Sequence, residues 1–160
     1  MNDRKTAGDP RLGIWDEKVA LESPLLRRLH GLWCAKCDGD RLPARADFDP
    51  LEMRDCLGNV FLVEALPALD DFRYTLIGTD IARHVGTDSS GRLVSEVFGA
   101  AGLDLYRKVR DGRRPIRVHG AVDWKQKDYK TYEAVILPLA DDGATVDRFI
   151  GAMVFPMPGR

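Results

Sequence analysis

Cysteine is scarce in this chain: Cys34, Cys37 and Cys56 are the only three in 160 residues. An odd set cannot close entirely on itself, and reduced thiols are the default inside a cell, so structural disulfides are not expected. An excess of charge is missing too. Lys and Arg number 24 against 25 Asp and Glu, which leaves no uniform field to draw the protein onto nucleic acid or an anionic membrane. Long apolar runs are also absent. No stretch approaches the roughly 18 residues of a membrane span, and the opening MNDRKTAGDPRLG has no apolar core of the secretory kind. Together these absences predict a cytoplasmic protein with no membrane partner.

What is present suffices for one domain. Hydrophobic residues make up 44% of the chain, enough for a single core at this length. Residues 1–21 are polar, broken by Gly8, Pro10 and Gly13, and read as a weakly ordered tail with at most a short helical turn. The first strong pattern spans residues 22–39. Ser23 suits a helix N-cap, Pro24 the first helical position and Gly39 a left-handed stop. Between them Leu25, Leu26, Leu29, Leu32 and Trp33 form one apolar stripe at helical spacing. That stripe must be covered, either by a second copy of the chain, giving a homodimer, or by the outer face of the chain's own sheet. A connector, 40–58, follows. In it Asp49 caps a short helix, PLEMRDCL, that Gly58 stops.

From residue 59 the chain is mostly strand. NVFLVEAL (59–66) and FRYTLIG (72–78) flank the turn composition PALDD and read as an antiparallel hairpin. TDIARHVG reads as a short helix capped by Thr79, and a further helix runs from about Ala100 to Arg110. PIRVHGAVDW (115–124), KTYEAVILPLA (130–140) and VDRFIGAMVF (146–155) read as three more strands joined by polar turns. This order is α+β, one antiparallel sheet with helices on one face.

The segments LPARADFDP, LGNVFLVEAL, FRYTLIGTDI and YEAVILPLADDG together resemble the bacterial PAS-like family of small, often stand-alone proteins, over residues 25–155. The most specific element is the LPxRxDxDP pattern of Leu42, Pro43, Arg45, Asp47, Asp49 and Pro50. The resemblance implies a PAS-like fold: a five-stranded antiparallel sheet, helices on its inner face, and an extra N-terminal helix that commonly serves dimerisation. One domain, 22–160 with its core at 59–156, follows from it. It further implies a non-catalytic domain that senses a small molecule. No output segment fits in the remaining residues, so the signal would pass to a separate protein or through a dimer rearrangement. A protein-interaction module with a filled core is the alternative.

Strand alternation locates a ligand site. Pairing across KQKDY sets Gly120 opposite Ala134, Val118 opposite Ile136 and Val122 opposite Tyr132. Pairing across DDGA sets Ala134 opposite Gly151, Tyr132 opposite Met153 and Ile136 opposite Phe149. Small residues ringed by large apolar ones suggest a concavity, with Tyr74 and Leu76 in its wall. The same small residues would equally serve close helix packing or sheet curvature.

Other chemistries are less well supplied. His84 and His119 lie in no haem-attachment motif. A flavin-reactive cysteine of the PAS class would belong in the helical middle section, whereas all three cysteines precede the first strand. A small organic ligand therefore fits, and no cofactor is assigned. Cys34 and Cys37 fall at the C-terminal end of their helix, beside Asp38 and Asp40, where the dipole disfavours a thiolate. His30, Cys34 and Cys37 share one helix side, with Asp40, Cys56 or a partner subunit as a fourth ligand, yet no second Cys-x-x-Cys supports a metal site. Arg107, Lys108, Arg110, Arg113, Arg114 and Arg117 lack interleaved aromatics and read as a solvated helix end, not a nucleic-acid patch. Glu133 and His119 form only a diagonal pair with no nucleophile or metal motif beside them, so no enzyme is expected.

Overall fold

The strands β1 (Ile14–Asp16), β2 (Val60–Leu66), β3 (Asp71–Ile77), β4 (Ile116–Val122), β5 (Lys130–Leu139) and β6 (Arg148–Val154) form one sheet ordered β1-β4-β5-β6-β2-β3 in the computed structural model. The structure describes residues 13–122 and 130–155; the first twelve residues of the expected tail, the KQKDY turn and Asp123 and Trp124 lie outside them. Every pairing is antiparallel. The sheet is one strand wider than the expected five. Ile14 and Trp15, read as part of a tail, pair with His119 and Val118, and Asp16 lies 3.5 Å from Arg117. A β-branched residue and an aromatic suit a pleated edge, and the ion pair fixes where that edge stops.

Both expected hairpin registers are displaced by two residues. Val118 faces Ala134 and Gly120 faces Tyr132, while Ala134 faces Met153 and Ile136 faces Gly151. A shift of two leaves each side chain on its expected face, because the strand period is two, but changes its neighbours. The cause in the second hairpin is Asp142, whose carboxylate accepts from Ala144 N (2.8 Å) and Thr145 N (2.7 Å). This turn takes residues through Asp147 out of the strand, so β6 begins at Arg148 instead of Val146.

Helix α1 (Pro24–Lys36) starts at Ser23, whose Oγ accepts from Leu26 N at 3.3 Å. It ends at Cys37, short of Gly39, which serves the next turn in a left-handed conformation. Leu26, Leu29 and Trp33 are buried against the outer face of β5 and β6, and Trp33 Nε1 donates to Pro138 O at 2.8 Å. Three of the five residues of the stripe expected to serve dimer packing are thus covered by the chain's own sheet, while Leu25 and Leu32 stay partly exposed. Under the start of α1, Glu133 is wholly buried and accepts from Arg117 Nε (2.7 Å), Glu22 N (2.8 Å) and Ser23 N (2.8 Å). Glu133 and His119 are direct strand partners, not a diagonal pair, and the carboxylate is a structural anchor.

The connector holds 3₁₀ turns, Pro50–Met53 and Leu57–Asn59, in place of the expected short helix. Asp49 caps the first, accepting from Leu51 N at 2.9 Å. The LPxRxDxDP joint is stitched to the β5–β6 turn by Leu42 N to Gly143 O and Ala140 N to Pro43 O, both 2.9 Å. Arg113 adds bonds from its guanidinium to Asp40 O (2.8 Å), Gly143 O (3.2 Å) and Ala144 O (3.0 Å).

Two helices cover the inner face: α2 (Thr79–Val85), whose cap is Gly78 instead of Thr79, and α3 (Val94–Gly112). The latter is two helical runs: the second starts at Ala100 as expected, the first, from Val94, is an addition, and they are divided at Gly99, which sits at φ 64°, ψ −151°. That region is open essentially to glycine alone, and a side chain there costs about 1–3 kcal/mol. Gly99→Ala is therefore expected to lower stability by about that amount, read as a lower urea midpoint at unchanged slope. An unchanged midpoint would show that the kink is dispensable.

Candidate functional site

Between the inner sheet face and helices α2 and α3 lies a cavity of about 340 Å³. Its sheet wall is Phe61, Tyr74, Ile77, Val118, Tyr132, Ala134, Ile136 and Met153. Its helical wall is Ile81 and Val85 from α2 with Val97, Phe98, Leu105 and Tyr106 from α3. Polar residues occur on the α2–α3 loop and the first turn of α3, where Thr87, Ser89, Arg92 and Glu96 edge the mouth. The kink at Gly99 lets α3 contribute to the wall twice, with Val97 and Phe98 before it and Leu105 and Tyr106 after it.

Of the residues that strand alternation placed at the site, Tyr74, Val118, Tyr132, Ala134, Ile136 and Met153 line the cavity. Four do not. Leu76 is exposed and pairs with Leu62, because a β-bulge at Leu62/Val63 breaks the alternation between Tyr74 and Leu76 and turns Ile77 inward instead. Phe149 is fully buried in an aromatic cluster, with ring centroids 5.6 Å from Phe72 and 5.1 Å from Tyr106, that closes one end of the core. Gly120 is small because the β1 edge passes over it; a Cβ there would stand 3.1 Å from Gly13 Cα. Gly151 lies beneath the Phe61 ring, where a Cβ would collide with Phe61 and stand 2.6 Å from Val135 O. Val122 is on β4, but its side chain lies outside the described part of the structure. Gly151→Ala is accordingly expected to cost about 1–3 kcal/mol through overpacking against backbone, measured by thermal or urea unfolding. A neutral result would mean that Phe61 swings aside.

The polar groups inside the cavity are phenols. Burial pushes the Tyr74 hydroxyl up to about 12, opposed by its hydrogen bond with Tyr106. Burial raises Tyr106 well above its ordinary value, helped by Tyr74, and burial raises Tyr132 as well. All three stay neutral near pH 7 and do not act as bases; the Tyr74 and Tyr106 hydroxyls bond each other, and that of Tyr132 reaches the β1 edge at Gly13. Among the described residues that line the cavity there is no histidine and no cysteine. His84 stacks on Phe155 at 4.8 Å, and His119 is the strand partner of Glu133 on the other face.

The remaining sequence candidates are spent elsewhere. Cys34 Sγ stands 3.5 Å from His30 Nε2, and burial pushes the thiols of Cys37 and Cys56 up. Among the described residues no group of three or more His, Cys, Asp or Glu side chains converges to hold a metal ion. The basic segment is tied into the fold: Arg107 to Asp70 (2.9 Å), Lys108 to Glu17 (3.2 Å), Arg110 to Asp111 (2.8 Å), and Arg117 to Glu133. Among the described residues no helix is long and apolar enough to cross a membrane.

The sequence profile of the family described as PAS domain matches residues 21–154. No curated protein matches the chain. Among solved structures, the chain is similar to the light-state LOV domain of the blue-light photoreceptor Aureochrome1, at 14% identity and a TM-score of 0.48, covering 64% of this chain and 84% of that one. It is similar to the Rhodobacter sphaeroides LOV protein at 16% identity and 0.46, covering 64% and 60%. The N-terminal domain of a diguanylate cyclase with PAS/PAC sensor from Marinobacter aquaeolei aligns at 14% identity and 0.44, covering 59% and 93%.

Proposed function

This chain belongs to the PAS domain family, and from that premise we propose that it is a non-catalytic sensor that binds a small, largely apolar organic molecule in the inner-face cavity. The cavity is the observation that carries the reading. At about 340 Å³ it falls within the range of ligand pockets, which are mostly apolar with a few placed polar groups. An apolar cavity of about 150 Å³ holds one benzene, so this one suits a molecule of about a dozen non-hydrogen atoms. That is well short of a haem or a flavin nucleotide, and the described lining residues include no histidine or cysteine with which to hold or modify either.

Occupancy has a route outward. Strands β4 and β5 carry Val118, Tyr132, Ala134 and Ile136 into the cavity and Arg117 and Glu133 on the opposite face, where the carboxylate holds the start of α1. A ligand that displaces these strands moves the anchor of the helix, and a partner protein that reads α1 reads the ligand. An interaction module with a filled inner face is less well supported, because the described side chains leave that face unfilled.

Native mass spectrometry of protein purified without denaturation, together with a thermal-shift screen of small aromatic and aliphatic compounds, tests the reading. The expected result is a bound species lost on unfolding, or a compound that raises the melting temperature progressively with the logarithm of its concentration above its Kd. Unliganded mass with no stabilising compound would overturn it.

A further inference from the structure

The two ends of the cavity differ in chemistry. Its depth is hydrocarbon and neutral phenol, whereas its mouth carries Thr87, Ser89, Arg92 and Glu96. Arg92 is a positioned residue. Gly91 N donates to Tyr74 O at 2.7 Å and Tyr74 N to Arg92 O at 3.0 Å, so the backbone that bears the guanidinium is clamped to β3 beside a cavity-lining residue. Glu96, its neighbour across the first turn of α3, is committed: Oε1 accepts from Leu93 N at 3.0 Å and stands 3.8 Å from Arg92 Nε. The carboxylate therefore caps the helix and steadies Nε, while the two Nη atoms of Arg92 engage no described residue and its side chain is half-exposed at the mouth.

We propose that the ligand is a small monocarboxylate with an aromatic or short aliphatic body, taken apolar end first, whose carboxylate meets the outward Nη edge of Arg92. This rests on the reading of the cavity as a ligand site. A planar guanidinium presents two parallel donors that match the two oxygens of a carboxylate, which a hydroxyl or amide cannot use equally. A cationic ligand fits the mouth less well. Glu96 is the acid at hand, its Oε1 is occupied, and Arg92 stands beside it to repel a second cation.

Titration calorimetry of the full chain with phenylacetate, octanoate, phenylacetamide and octanol tests the assignment. Each acid is expected to bind about tenfold more tightly than its neutral counterpart, the worth of one charge-assisted hydrogen bond at a half-exposed site. Arg92→Gln is expected to erase that preference, and retained binding of phenylacetamide, at most a few-fold weaker, shows the cavity intact in the variant. Glu96→Gln keeps an acceptor for Leu93 N but removes the competing charge, and is expected to tighten the acids several-fold. If Arg92→Gln fails to fold, salt serves instead: the preference of the unaltered protein for acids is expected to shrink from low to high ionic strength. Equal binding of phenylacetate and phenylacetamide, or a preference that survives both Arg92→Gln and salt, overturns the carboxylate assignment and leaves the ligand site standing. Absence of binding by all four probes overturns both.

Discussion

Glu133→Ala is expected to cost about 3–5 kcal/mol of folding stability, because it leaves a buried guanidinium without its close partner. The residue looks unremarkable in sequence, a glutamate inside a strand, yet it is completely buried and satisfies three donors within 2.8 Å. Its removal orphans the Glu22 and Ser23 amides as well as Arg117 Nε. Asp16 at 3.5 Å and Glu22 at 3.9 Å are more distant and cannot take over the bond to Nε. For a chain of this length each kcal/mol lowers the melting temperature by about 2–4 °C, so a fall of about 6–20 °C is expected. Glu133→Gln keeps the shape and one acceptor oxygen and is expected to fall between Glu133→Ala and the unaltered protein. Urea unfolding of the three proteins checks this; a loss below about 1 kcal/mol for Glu133→Ala would mean that the cluster is not a structural anchor. If occupancy is read out through α1, the same variant should uncouple ligand binding from any partner.

Ala134→Phe is expected to lower ligand affinity about ten- to a hundredfold while the protein stays folded. A phenyl ring placed on Ala134 enters the cavity directly and takes nearly half of it, since a benzene fills a space of about 150 Å³. Forcing the ligand in beside the ring costs about 1–3 kcal/mol of overpacking, which converts to that loss of affinity. The contrast with Gly151→Ala is informative. Both sites are small residues on one sheet face, but Ala134 opens on empty space and Gly151 on the Phe61 ring and Val135 O. The first change should act on binding and the second on stability. Undiminished affinity in Ala134→Phe would place the ligand elsewhere.

Particular residues show how much of this was legible in the sequence. Strand alternation put Val118, Tyr132, Ala134, Ile136 and Met153 on the cavity face because period-two patterning survives a register error of two. The capped start of α1 at Ser23 was equally readable. Leu76 was not, since nothing local announces the bulge that turns it outward. Phe61, Ile81 and Val85 carried a usable signal, alternation on β2 and i, i+4 spacing on α2, that the search for small residues passed over. Arg92 lies on a loop without periodicity, and only its clamp to Tyr74 reveals a fixed position. The burial of Glu133 was hidden because its partners are the backbone of Glu22 and Ser23, over a hundred residues away in sequence.

The central claim is that the inner-face cavity accepts a small organic molecule. Methyl-detected NMR of the full chain, labelled at Ala134, Val118, Ile136 and Met153 and titrated in turn with indole, phenylacetate and octanoate, tests it most directly. The account predicts saturable shifts of these methyls with at least one probe, larger than any at Leu26 and Leu29 on the buried face of α1. Unmoved inner-face methyls with all three probes, or shifts centred on the outer face, would contradict it.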